Sequence, residues 1–159
     1  HPHVVRIEGR PANAELAGAI SLTVLVRQSL RMRPDRIVVG EVRGGEICDL
    51  LTAMNTGHEG GCGTVHANST ADVPARLEAL ASLGGLSRDA LHAQLASALD
   101  AVVHVVRGAG GKRRVAEISI FVRDRSSGLV RSECAIEFNA DGRTVRGPGS
   151  SQLERMLDG

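Results

Sequence analysis

Aromatic side chains are almost missing from this 159-residue chain, which has two Phe and neither Trp nor Tyr. A surface that holds single-stranded nucleic acid by stacking needs such rings, so that activity is disfavoured. The core must instead be assembled from Val, Leu, Ile and Ala. Lysine is nearly missing as well. Of the 19 basic residues only Lys112 is not an arginine, and guanidinium is the better group for two-pronged contacts to phosphate or carboxylate. The three cysteines, Cys48, Cys62 and Cys134, are too few and too scattered for a disulfide framework and fit a reducing compartment. No apolar run has the length of a membrane span. Charge of one sign does not dominate either: a formal net charge of +1 gives no global attraction to nucleic acid or anionic membrane.

What is present reads as a folded domain, with 42% hydrophobic and 23% charged residues and a length that allows one real core. The chain starts at His1 rather than Met, directly in a strand-like stretch, and is expected to be the C-terminal portion of a longer protein.

Residues 4–7 alternate weakly, as a short strand would. Residues 9–18 carry loop chemistry. Apolar spacing predicts a helix over 22–33, capped by Ser21 and stopped by Pro34. The β-branched run 36–40 reads as a buried parallel strand. A helix over 46–55 follows, then a Gly-rich loop over 56–63 and a second buried strand over 64–67. The next helix ends at Leu83, with Asp72 as its cap and Pro74 in its first turn. Ser87 opens another helix, whose stripe is Leu91, Leu95, Ala98 and Leu99. Residues 101–106 are strand-like. Residues 113–123 and 129–137 look like an antiparallel pair turning at 126–128, and a short helix over 151–157 closes the chain. Strand and helix alternate up to Val106, and strands run together afterwards. This predicts an α/β layer with a small antiparallel β extension at its C-terminal side.

Three groups of residues could carry chemistry. RPDRIVVGEVRGGE, 33–46, places Glu41 and Arg43 just beyond the end of a hydrophobic strand, where open parallel sheets bind ligands. An acid there can orient water or a metal-bound water, and Arg43 can neutralise a phosphate oxygen or hold Glu41; a plain solvated Glu–Arg pair would look the same. TGHEGGCGTVHAN, 56–68, brackets a Gly-rich loop with His58 and His66. Neutral imidazole can donate to a γ-phosphate. A zinc site from His58, Cys62 and His66 is the alternative, but H-x3-C-x3-H matches no common zinc spacing and no fourth ligand is evident. Finally, Arg27 and Arg31 share a helix face, and Arg6 and Arg10 flank the first loop. Such arginines can reach a phosphate on a neighbouring subunit. GAGGKRR, 108–114, fails the phosphate-loop pattern and reads as a basic turn.

RMRPDRIVVGEVRGGE followed by TAMNTGHEGGCGTVHANS, taken together, resembles the secretion ATPase superfamily of type II and type IV secretion and type IV pili. The resemblance is greatest to its CpaF/TadA branch, the Flp pilus motors, and runs from about His1 to Val106. It implies that residues 1–107 are the later half of a RecA-like P-loop NTPase core, a mostly parallel sheet flanked by helices, and that 108–159 are a β-rich extension with a terminal helix. It implies a cytoplasmic homohexamer that hydrolyses ATP with Mg and docks on an inner-membrane platform, without nucleic acid and without inserting into the bilayer. VVGEVR matches the Walker B box, with Glu41 polarising the attacking water and Arg43 as the arginine of the box. GHEGGCGTVHAN matches the His box, with His66 as nucleotide sensor and His58 as a supporting position; His58, Glu46 and Thr64 are the candidates for binding or sensing nucleotide beside it. PHVVRIEGR resembles the segment after the family's Asp box, so Arg6 and Arg10, with Arg27 and Arg31, are candidates for contacts in trans. The family's Walker A loop, Asp box and N-terminal domain are expected before His1, so the isolated chain is expected to bind ATP poorly and to hydrolyse almost none. The rival readings are a non-catalytic ATPase-like assembly module, a zinc-dependent hydrolase and, less well supported by charge and composition, a nucleic-acid motor.

Overall fold

The computed structural model describes residues 3–14, 17–58 and 60–158, with the backbone alone at Ala109. His1 and Pro2 of the opening stretch and Glu59 of the Gly-rich loop lie outside the described residues.

Helix α1, Leu22–Arg31, starts where the Ser21 hydroxyl accepts the Val24 N–H. It stops ahead of Pro34, at a left-handed Arg33 with φ of 51°. The short strand β1, Val38–Val39, leads to α2, Glu46–Met54, and the chain returns as β2, Cys62–Gly63. β1 and β2 pair in parallel, Val38 opposite Cys62 and Val39 opposite Gly63. Backbone bonds carry the pairing past both ends: Cys62 N to Ile37 O is 2.9 Å and Val42 N to Thr64 O is 2.8 Å. α2 lies against this ribbon, and a Cβ at Gly63 would come 3.3 Å from Val42 Cγ2 and 3.4 Å from Leu50 Cδ2, so the packing there is close.

A single 3₁₀ turn, Thr70–Asp72, opens α3, Val73–Leu83, with Pro74 in its first turn. Helix α4, Arg88–Ala98, is capped by Ser87 through the Ala90 N–H. The strands β3, Ala101–Arg107, β4, Arg113–Arg123, β5, Val130–Phe138, and β6, Thr144–Arg146, form one antiparallel sheet in that order. Helix α5, Ser150–Asp158, closes the chain and seats Leu153 on Ile120 and Ala135. The larger core joins the helices to the rest: Leu51, Leu91 and Leu95 have no exposed surface, and Phe121 and Val130 bring the antiparallel sheet into the same cluster.

The α/β class is present, but the expected mostly parallel sheet is not. Among the described residues the parallel part is two strands, and the larger sheet is antiparallel. The strand expected to end the alternating part pairs with β4, because a turn of only a few residues at 108–112 can join strands antiparallel but cannot make the crossover that parallel pairing requires. The turn is the basic, glycine-rich one expected, with left-handed Gly110 and Gly111. Residues 4–7 form no strand; Val4, Val5 and Ile7 are exposed and no neighbour supplies a ladder. The strand expected at 64–67 ends at Gly63, since its register is set by Cys62 meeting Ile37. β1 is covered on one side only, with Ile37 and Val39 buried and Val38 exposed. β6 is three exposed residues without apolar alternation, which leaves no local pattern to read.

Candidate functional site

The chain leaves β1 at Gly40 and turns sharply into α2. Glu46, in the first turn of α2, folds its carboxylate back over this bend: Oε1 accepts the Arg43 N–H at 2.7 Å and the Gly44 N–H at 2.9 Å. Two otherwise unpaired backbone donors are satisfied in this way, and the buried acid fixes the loop that carries Glu41 and Arg43. Glu46 therefore acts on the backbone of that loop from inside.

The partner loop is fixed from the other strand. Thr64 Oγ1 donates to Gly40 O at 2.5 Å, while Thr64 O accepts from Val42 N. His66 follows two residues later and emerges at the same rim as Glu41. The two meet there, with His66 Nε2 at 3.0 Å from Glu41 Oε1. Arg43 takes the other carboxylate oxygen, Nη2 to Oε2 at 2.5 Å. Glu41 is the sheltered member at 26% side-chain exposure, against 76% for Arg43 and 82% for His66. The Arg43 hydrogen bond, more than any other influence, holds the Glu41 carboxyl below the usual carboxylate range; the charge of His66 adds a smaller effect, and desolvation opposes both. The result is an ionised carboxylate with lone pairs to spare, flanked by a cation and an imidazole that both face solvent. Such a group can orient a water molecule while its neighbours meet an anion.

The other candidates are dispersed. His58 sits past the end of α2, its N–H bonded to Ala53 O at 3.3 Å and its Nδ1 buried without a partner. It makes no hydrogen bond to Glu41 or His66. Arg27 pairs with Asp49 across α1 and α2 at 2.9 Å, and Arg10 Nε donates to Gly18 O at 2.9 Å, so each has a partner within the chain. Arg31 is exposed at the end of α1. Arg6 borders a cleft of about 930 Å³ between residues 3–7, α1 and β1. Among the described residues no three His, Cys, Asp or Glu side chains gather in a way that could hold a metal ion, so His58, Cys62 and His66 do not form one centre. Within the chain, Glu41 and His66 suit the water and phosphate side of an Mg–nucleotide complex.

Two polar clusters near the site are not evident in the sequence. Thr70, buried in the 3₁₀ turn just after His66, donates through Oγ1 to Glu117 Oε1 on β4 at 2.6 Å, and the fully buried Ser119 donates to the same carboxylate oxygen with its Oγ also beside Thr70 Oγ1. His92, 2% exposed on α4, accepts the Val130 N–H at Nδ1, so its proton is on Nε2, 2.8 Å from Glu78 Oε1. A lone Thr, Ser or His in an amphipathic segment carries no signal of such a partner.

Residues 1–146 match the family model described as type II/IV secretion system protein. The chain is 62% identical over 120 residues to a Mycobacterium tuberculosis protein named for conjugal transfer, a match that covers 76% of this chain and 34% of that one. It is 40% identical over 122 residues to the type IV secretion system protein PtlH of Bordetella pertussis, covering 73% of this chain and 36% of PtlH. The crystal structure of the VirB11 ATPase from the Brucella suis type IV secretion system, in complex with sulphate, superposes with a TM-score of 0.58 at 31% identity, over 64% of this chain and 32% of that chain. The chain thus spans about a third of the length of the proteins it matches.

Proposed function

The chain belongs to the type II/IV secretion system protein family, and on that premise we propose that it is the C-terminal part of a hexameric ATPase that powers pilus assembly or protein secretion. In this reading the parallel ribbon β1–β2 and the helices over it are the later half of a RecA-like core, completed by segments outside this chain that carry the Walker A loop. The CpaF/TadA branch is the assignment within the family that the two sequence motifs favour. The motor works in the cytoplasm, docked on an inner-membrane platform; no helix of the described residues is long and apolar enough to cross a membrane.

The observation that carries the proposal is the Glu41–His66 contact, with Arg43 on the same carboxylate. ATP with Mg supplies the phosphoanhydride bond and neutralises part of its charge. Glu41 orients the attacking water, since it is held ionised and only part of its acceptor capacity is used. Arg43 and His66, both solvent-facing, turn towards the γ-phosphate, and Glu41 gives up one or both of them as they do. Loss of the γ-phosphate returns them to Glu41, which makes the pair a reporter of nucleotide state. Glu46 and Thr64 hold the two loops in register, and His58 supports the second from the end of α2. Of the four arginines proposed to act in trans, Arg6 and Arg31 are exposed, while Arg10 and Arg27 would first leave Gly18 and Asp49.

The test is Glu41→Gln in the longer protein that carries the Walker A loop. Turnover is expected to fall on the order of a hundredfold or more, with ATP binding largely retained. Hydrolysis at the wild-type rate in that variant would remove Glu41 from the mechanism.

A further inference from the structure

His66 faces two ways. Its Nε2 meets Glu41, and its ring also borders a cleft of about 400 Å³ whose other walls are Ala67, Asn68, Asp72 and Arg76. Arg76 lies in α3 four residues after Asp72, a spacing at which an acid and an arginine on a helix normally pair. Here they do not. Asp72 Oδ2 instead accepts from Ser69 Oγ at 2.8 Å, and among the described residues Arg76 enters no ion pair. Among the described residues the Asn68 amide likewise has no hydrogen-bonded neighbour, and the second ring nitrogen of His66 is not taken up by Glu41. A guanidinium and a carboxamide with unused donors thus border one cleft beside the imidazole, all exposed to solvent. A planar fork of N–H groups beside further N–H donors matches a tetrahedral oxyanion bearing several acceptor oxygens. The single acid in the cleft has one oxygen committed to Ser69, and its other oxygen can accept from a protonated phosphate oxygen.

We propose that this cleft is a phosphoryl-binding subsite, with Arg76 as its principal ligand, Asn68 as its second and His66 as the group shared with Glu41. Its ligand class is the phosphate oxyanion, either free inorganic phosphate or the terminal phosphoryl group of a nucleotide; the nucleotide source rests on the reading given above for Glu41 and His66. Through His66, occupancy of the cleft and the state of the Glu41 carboxylate become linked, because the imidazole serves both.

The test is an NMR titration of the 159-residue chain that follows the Asn68 side-chain amide, the Arg76 Nε–H and the His66 ring. One arm adds inorganic phosphate, with sodium chloride at matched ionic strength as control. The other adds a non-hydrolysable ATP analogue with Mg. Saturable shifts at Asn68 and Arg76 in phosphate but not in chloride are expected, with affinity lowered about tenfold in Arg76→Gln, the loss of one charge-assisted bond. Asn68→Asp, which puts a second carboxylate in the cleft, should weaken phosphate binding as well. Saturation by the analogue alone assigns the subsite to the nucleotide's terminal group. Identical shifts in phosphate and chloride with no response to the analogue, or binding unchanged in both variants, would overturn the proposal. The hydrolysis assay on Glu41→Gln and this titration can each fail without the other, so the two failures are separable.

Discussion

Glu41 and His66 approach to 3.0 Å at one rim of the parallel ribbon, each just past the end of its own strand, with the whole of α2 between them in sequence. The Glu41 loop is fixed within a few residues of chain, and the His66 loop from the neighbouring strand. Glu41 is held by the Glu46 carboxylate under its loop, and His66 by the Thr64 hydroxyl on Gly40 O.

Arg43 is the main cause of the lowered Glu41 pKa, which fixes the direction of a titration experiment. In Arg43→Ala the Glu41 carboxyl midpoint, followed by carbon-detected NMR, should move up towards the ordinary carboxylate range. In His66→Ala it should also rise, but by less. A larger rise in His66→Ala than in Arg43→Ala would mean that the imidazole, rather than the guanidinium, sets the charge state.

Thr64→Val removes the hydroxyl that ties the two loops together while nearly conserving volume. It should cost about 1 kcal/mol in chemical denaturation and should shift the His66 ring resonances. Thr64→Ser, which keeps the hydroxyl, should restore the wild-type shifts. Equal spectra for Val and Ser would show that the bond to Gly40 does not position His66.

The helix pair α2–α3 is joined by a backbone-to-backbone approach. A Cβ on Gly45 would lie 2.7 Å from Gly84 Cα, and one on Gly84 would lie 2.6 Å from Cys48 Sγ and 2.9 Å from Gly45 O. Gly45→Ala and Gly84→Ala should each destabilise by about 1–3 kcal/mol in denaturant melts. Gly40→Ala is the matched control, because nothing lies within 4 Å of a Cβ there.

Glu78 predicts the acid limb of stability. Its carboxyl is lowered chiefly by the hydrogen bond from His92 and further by Arg88, whose Nε lies 3.1 Å away, against desolvation. Between that lowered value and the ordinary carboxylate range the unfolded chain binds more protons than the folded one, so stability rises with pH across this window. The contribution is complete above the window and is lost as pH falls through the lowered value. Glu78→Gln should flatten this part of a stability–pH profile and change little at neutral pH beyond the lost pair. His92→Ala should cost about 2–4 kcal/mol at neutral pH, since it opens a cavity and strips the Val130 N–H of its acceptor, and it should flatten the acid limb as well because the bond to Glu78 goes with it. An unchanged acid limb in Glu78→Gln would assign acid sensitivity to other carboxylates.

These residues also mark what the amino-acid sequence makes legible. Ser21 and Ser87 cap α1 and α4 as a local reading expects, and Pro74 falls in the first turn of α3, because caps and breakers act within a turn of where they stand. The pair β4–β5 is legible for a similar reason: Asp124 gathers Ser126 and Ser127 into its turn. The sheet partner of β3 is not legible, since an apolar strand of that length suits either sheet and only the turn that follows decides. The candidate site divides the same way. Glu41, Arg43 and His66 stand in motifs that can be quoted, whereas Asp72 and Arg76 are an ordinary helical acid–base spacing until the structure shows the acid held elsewhere by Ser69. Thr70 and Glu117 meet across a long stretch of chain, and no periodicity encodes such a meeting.

That last contact ties the turn after His66 to the antiparallel sheet. Thr70, Glu117 and Ser119 share their hydrogen bonds away from water, where a broken bond leaves a polar group stranded. Parting the turn after His66 from β4 would leave these groups unpaired, so the cost of stranding them holds the two segments together.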